Sequence, residues 1–223
     1  MLRVVDKGPR FANPLDFPNL VPSSPVGQAS IYLQLRGPAM AVADLQASGE
    51  NALLACAEAI ASGGSDAMVA CGCDEGGVLV DEVFGPLFDW DPSGAAPRSE
   101  GAAAVVLESE PVARQRNAEI IAIIESFAPA RSGPLLVPPP RDPRRAAVVS
   151  PRGDLLWDSP IWESVRRVDV ATGSGRHEGQ GASAAVLALG LLRAGDVDEV
   201  LLVGARPFTD GSMIRYAFAF RRP

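Results

Sequence analysis

Three places in the 223-residue chain carry side chains whose types and spacing suit chemistry. The first is the polar corner Asp44-Leu45-Gln46-Ala47-Ser48-Gly49, between an apolar run and an apolar helix. A strand that breaks into a helix seats a nucleophile well, because the corner side chain meets the positive end of the helix dipole and that field favours a thiolate. The corner presents Gln46, whose amide is neither a nucleophile nor titratable. The second place is His177-Glu178 in a glycine-rich loop, and His177 is the chain's one imidazole. Such a histidine reads as a hydrogen-bonding or surface residue before it reads as a general base. The third is Cys71-x-Cys73. With a single histidine available, the pair completes no zinc spacing, so no metal site is expected. Beside Val69 and Ala70 both thiols read as buried strand residues, and Cys56 as helix core.

Other patterns carry less. The acid pairs Asp74/Glu75 and Asp81/Glu82 read as solvated loop charges. Gly179-Gln180-Gly181-Ala182-Ser183-Ala184 has the form Gly-x-Gly-x-x-Ala. The loop before it is too long for a dinucleotide fingerprint, and no acid ends the next strand, so no nucleotide cofactor is expected. No Gly-x-Ser-x-Gly elbow or phosphate loop occurs.

The elements that must position these residues follow from periodicity. Ala39, Met40, Ala41, Val42 and Ala43 read as a short buried strand leading into the corner. The next helix places Leu53, Leu54, Ala57, Ile60 and Ala61 on one face, and Gly63-Gly64 stops it. Before the corner, Ser24-Pro25 opens a helix to about residue 35, ended by Gly37-Pro38. Apolar strands are expected at 67–73 (buried on both faces), 102–107, 118–127, 146–150, 168–171, 199–204 and 214–220. Short helices are expected at 110–116 and 161–165, a turn at Gly153, and a longer helix at 182–193. Prolines and aromatics make 1–21 a packed extended stretch and 81–98 a loop. Six prolines stiffen 128–145 into a connection between residues 1–127 and 146–223. Strand and helix alternation gives an α/β fold in a single domain, with a weak internal duplication of strand, corner, helix and strand.

Composition narrows the partners. With 47% hydrophobic residues the chain has a sizeable core. A net charge of -7 argues against nucleic acid and anionic membranes. No apolar run has membrane-spanning length, and the free cysteines fit a reducing, cytoplasmic setting.

The order of elements resembles the condensing enzymes of the thiolase-like group, the β-ketoacyl synthases. Residues 21–38 are similar to the helix before the nucleophile strand. Residues 43–49 resemble the Thr-Ala-Cys-Ser-Ser-Gly elbow, and 64–75 the strand ending Ala-Gly-Gly-Ala-Glu. Residues 99–108 resemble the Gly-Glu-Gly-Ala strand. More loosely, Glu178-Gly179-Gln180-Gly181-Ala182-Ser183-Ala184-Ala185 is similar to the Gly-His-x-x-Gly-Ala-Ala-Gly segment, and Pro207-Phe208-Thr209-Asp210-Gly211 to the Gly-Phe-Gly-Gly turn. The resemblance implies a layered α-β-α fold, reduced relative to full ketosynthases.

The departures set the function it implies. The family's cysteine position is Gln46. Its later histidine falls on Glu178, or on His177 if the register shifts by one, and its His-Gly-Thr-Gly-Thr segment is absent. No catalytic residue is therefore expected in this degenerate site. A glutamine at the cysteine position resembles the chain-length factor, an inactive partner of active ketosynthases in fatty acid, polyketide and polyene synthesis. That implies a heterodimer with an active ketosynthase (or a homodimer), an acyl carrier protein as partner, an interface at Ala39 to Ala43 and the helix before them, and Phe208 lining the tunnel. The alternatives are a malonyl-carrier-protein decarboxylase using Gln46 and His177, and a scaffold or carrier-protein-binding module without chemistry.

Overall fold

The computed structural model describes residues 21–78, 98–131, 137–152, 162–208 and 212–223, with Gly8, Arg10 and Glu82. The stretches expected at 1–20, at Gly153, in most of 81–98 and in the middle of 128–145 lie outside the described residues, as does Ile161 of the short helix expected at 161–165. The chain divides into two compact units, residues 1–43 and residues 44–223.

In the first unit, α1 spans Ser24–Tyr32 with Pro25 in its first turn, where a missing N–H costs nothing. It stops before residue 35 because Gln34 turns left-handed, at φ 54. No residue of α1 is buried, and Ile31, Tyr32, Leu33 and Leu35 are exposed. The strand expected from Ala39 to Ala43 does not form: these residues carry no strand pairing, Val42 is half-buried and the others are exposed. A strand exists by exchanging backbone hydrogen bonds with a neighbour, and no described residue supplies one.

In the second unit, a 3₁₀ turn at Leu45–Ala47 leads into α2, Ser48–Ala61, which ends at Ser62 with Gly63 at φ 73. β1 (Ala67–Asp74) pairs antiparallel with β2 (Gly101–Glu108) in a two-stranded sheet. α3 (Glu110–Gln115) follows. β3 (Ile123–Ala130), β4 (Ala146–Ser150), β5 (Arg166–Asp169), β6 (Glu199–Pro207) and β7 (Met213–Arg221) form a five-stranded sheet ordered β3-β7-β6-β4-β5. α4 (Val170–Ser174) and α5 (Gln180–Ala194) complete the unit.

Helices α2 and α5 lie between the two sheets. Leu53, Leu54 and Cys56 of α2 and Ala184, Ala185, Ala188 and Leu192 of α5 share one core with Ala70 and Val105 on one side and Val149, Leu202 and Phe218 on the other. Side chains of the size of Leu53 and Leu192 each contribute about 1.5–3 kcal/mol on burial. A second core covers the far face of the large sheet, with Ala146, Val148, Leu201, Val203, Trp162 and Val165. β4 is buried at all five positions because both its faces are covered.

Three further expectations shift for physical reasons. β1 is not buried on both faces. Only the face toward α2 and α5 is covered, so Cys71 and Cys73 are exposed while Cys56 is buried. β3 begins at Ile123 rather than Ala118, because its partner β7 ends at Arg221, opposite Ile123. Val170 and Ala171 turn into a helix because Asp169 caps it, its carboxylate accepting from the Ala171 N–H at 2.9 Å. The expected duplication of strand, corner, helix and strand is incomplete: α2-β1-β2 and α5-β6-β7 are each a helix followed by an antiparallel pair, but no strand forms before the corner at 39–43.

Candidate functional site

The corner at Gln46 is built by its neighbours. Leu45 holds a left-handed backbone, at φ 48, which costs a β-carbon-bearing residue about 1 kcal/mol or more. Ser48 pins that turn: its hydroxyl donates to the Leu45 carbonyl at 2.7 Å and accepts from the Asp44 N–H at 2.9 Å. Asp44 anchors the corner to the large sheet. Its carboxylate accepts from the Tyr216 hydroxyl at 2.9 Å and pairs with Arg206 Nε at 2.9 Å. Burial, with Asp44 accepting the hydrogen bond, holds the Tyr216 phenol well above its ordinary pKa. Gln46 itself is half-buried.

The loop before α5 meets this corner. The Gly49 N–H donates to the Glu178 carbonyl at 3.3 Å. The contact is close because both helices start with glycine at their second position: a Cβ on Gly49 would stand 2.8 Å from the Gly181 amide nitrogen. Gly72 of β1 lies against the Gly179 backbone in the same way. The structure thus brings the corner, the end of β1 and the loop holding His177 and Glu178 into one place.

Glu178 does not stand alone there. Arg98 donates to it through Nη1 at 2.9 Å and Nη2 at 3.0 Å, and the same Nη2 reaches Asp74 at 3.0 Å. Asp74 also accepts from the Glu178 N–H at 3.2 Å. Burial and the neighbouring Glu178 push the Asp74 carboxyl up to about 6. Burial works against the Glu178 carboxylate too, but Asp74 and Arg98 outweigh it and hold Glu178 below its ordinary value. The acid pair read as loop charge at Asp74/Glu75 is therefore half structural: Asp74 belongs to this cluster and Glu75 is exposed. Replacing Arg98 by Met leaves two carboxylates facing each other in a mostly enclosed site. A loss on the order of 2 kcal/mol in denaturant unfolding is expected, partly recovered in the Arg98→Met, Asp74→Asn double variant.

His177 is 6% exposed. Its Nε2 faces Gly101 so closely that a Cβ there would stand 2.8 Å away. Nδ1 has no hydrogen-bond partner among the described residues. Burial lowers its pKa, so the ring is neutral at pH 7. Phe208 is placed between two guanidinium groups, Arg206 at 4.2 Å and Arg131 at 4.8 Å from the ring centroid. Among the described residues no cluster of three or more metal-ligating side chains occurs, and no helix is long and apolar enough to cross a membrane.

Sequence reasoning missed Glu50, the third residue of α2. It is fully buried, and neither carboxylate oxygen has a hydrogen-bond partner among the described residues. Burial raises its pKa to about 7, against the pull of Arg152. The signal was available, since Glu50 falls on the stripe of Leu53, Leu54 and Ala57 at helical spacing. Arg98 gave no such signal.

Comparison with known proteins bears on the fold and on the N-terminal stretch. Residues 2–78 match the family described as β-ketoacyl synthase, N-terminal domain. Nodulation protein E of Rhizobium sp. (strain N33) is 33% identical over 156 residues, covering 63% of this chain but only 38% of that protein's length. Among solved structures, a type II polyketide synthase acyl carrier protein in complex with its ketosynthase bound to the hexaketide matches with a TM-score of 0.75 at 17% identity, over 100% of this chain and 70% of that one. The ishigamide ketosynthase/chain length factor matches with a TM-score of 0.68 at 16% identity, over 99% and 68%. Residues 2–78 are thus similar to the β-ketoacyl synthase N-terminal domain, and the chain has the thiolase-like fold of the ketosynthases.

Proposed function

We propose that the chain is a ketosynthase-like protein of polyketide or fatty acid synthesis that lacks condensing chemistry of its own and works as a chain-length-factor-like partner of an active ketosynthase. One observation carries this reading. The elbow is strained, with Leu45 at φ 48 and α2 starting at Ser48, and the residue it presents is Gln46. A corner without a role would have no reason to hold a left-handed leucine.

The residues around Gln46 support the same reading. Condensation needs a thiolate and a hydrogen-bond donor for the charge that develops on the thioester oxygen. In the register that puts the family's histidine on Glu178, the position holds a carboxylate locked to Arg98, an acceptor where a donor is needed; shifted by one, it holds His177. The same charge repels a malonyl carboxylate. With His177 enclosed against Gly101, that weighs against the decarboxylase alternative. The unpaired apolar stretch from Ala39 to Ala43, with Met40 56% exposed, suits an interface that completes itself on a partner. Phe208 would line the acyl path, and an acyl carrier protein would deliver the chain.

The test is co-expression with an active β-ketoacyl synthase encoded beside this chain. A one-to-one heterodimer on sizing and light scattering is expected, weakened when Met40→Glu is introduced. A stable monomer that captures no ketosynthase overturns the proposal, and carbon dioxide release from a malonyl carrier protein by this chain alone restores the decarboxylase.

A further inference from the structure

The bare face of the small sheet holds the chain's only pair of exposed thiols among the described residues. On β1 that face presents Val69, Cys71 and Cys73, and across from them on β2 stand Val106, Ala104 and Ala102 in register. Both cysteines are free and exposed. Two residues apart on one strand, they point to the same side, about 6.6 Å apart along the chain. A direct disulfide wants Cβ atoms about 3.5–4.5 Å apart, so an extended strand opposes one. A bridge of two metal–sulfur bonds is longer. At about 2.3 Å per bond, as for zinc, two bonds in line span about 4.6 Å between sulfurs, within reach of two side chains leaning together. The cross-strand partners are alanines, whose methyl groups leave room above the sheet.

We propose that Cys71 and Cys73 hold one soft monovalent cation, Cu⁺, in two-coordinate sulfur–metal–sulfur geometry. Thiolates select soft metals, and two protein donors suit a two-coordinate ion. No third ligand joins them among the described residues: Asp74, the nearest acid in sequence, is tied to Arg98 and the Glu178 N–H. Binding replaces two S–H protons, which are released to solvent, and the copper keeps its oxidation state. The site is separate from the corner at Gln46 and independent of the proposed function.

The experiment uses the full chain, reduced and metal-free, titrated with Cu⁺ against a chromophoric Cu⁺ chelator, and with Ag⁺ as a redox-inert probe. One equivalent per chain is expected, with two protons released. Cys71→Ala and Cys73→Ala should each weaken binding on the order of 100-fold, since each removes one of two thiolate bonds. Cys56→Ala, in the core, should leave the affinity unchanged. X-ray absorption should show two sulfur neighbours. Two equivalents lost one at a time, binding that survives in both single variants, three or more near neighbours, or a metal-dependent dimer on sizing each overturn the proposal. Thermal unfolding confirms that the variants fold, as both positions are exposed.

Discussion

Gly72→Ala is expected to cost the chain about 3 kcal/mol or more of folding stability. A Cβ at Gly72 would stand 2.8 Å from the Gly179 Cα and 3.0 Å from the Ala182 Cβ, and would also meet the Gly179 carbonyl oxygen. The reciprocal change meets backbone as well, since a Cβ on Gly179 would stand 2.7 Å from the Cys73 nitrogen and 2.7 Å from the Gly72 carbonyl carbon. Backbone held in a sheet and at a helix start cannot move aside as a flexible side chain can. Each substitution should cost about 3 kcal/mol or more, at the upper end for overpacking. The double variant should not cost twice that, because either methyl already forces the two segments apart. Gly190→Ala is the control: nothing lies within 4 Å of its Cβ, and it sits inside α5. That change should stabilise by about 0.5–1 kcal/mol. Denaturant unfolding of the set decides the matter, and a Gly72→Ala chain as stable as the parent would show that the two halves do not touch there.

The second large effect concerns pH. Glu50 is a carboxyl whose folded pKa is raised from 4.5 to about 7. The folded state therefore binds more protons than the unfolded state between those values, and stability falls as pH rises through that window. Below 4.5 the burial costs little, because the group is neutral in both states. Above 7 the penalty is complete and flat. The difference corresponds to about 3 kcal/mol at pH 8. Glu50→Gln is neutral throughout and of the same shape. It should match the parent near pH 4.5 and exceed it by about that amount at pH 8. The charged groups facing Glu50 are Arg152, which stabilises the carboxylate, and Asp44, which opposes it; Tyr216 also feels its charge. Equal pH slopes for parent and variant, read from unfolding midpoints between pH 5 and pH 8, would remove Glu50 from this account.

Most of the framework was legible because its elements announce themselves locally. α2, α5, β2, β4, β6 and β7 each carry an apolar run or stripe closed by a glycine, a proline or a polar cluster. Where the sequence misled, the missing information was a neighbour. Ala39 to Ala43 have strand composition but no strand beside them among the described residues. Cys71 and Cys73 have core composition on a sheet face that nothing described covers. Ala118 to Ala122 continue an apolar run past the point where β7 ends. The site followed the same division. Gln46 and Glu178 were found because they interrupt a recognisable pattern. Arg98 joins two carboxylates from opposite halves of the chain, 24 and 80 residues away, and no local pattern encodes that meeting.

The long reach of these contacts bears on how the chain is made. Asp44 finds its tyrosine 172 residues downstream, and Asp74 meets the Glu178 amide 104 residues on. β3 waits for β7, whose last residue stands opposite Ile123. While synthesis proceeds from the N-terminus, the helix-and-hairpin portion emerges with its inner face unanswered, and the elbow has no sheet to lean on. Contacts of such separation close slowly, and an apolar hairpin held open meanwhile is a target for aggregation. β7 is then the piece that converts a sticky intermediate into a closed unit. Folding of the whole second unit is accordingly expected to complete only once β7 has emerged from the ribosome.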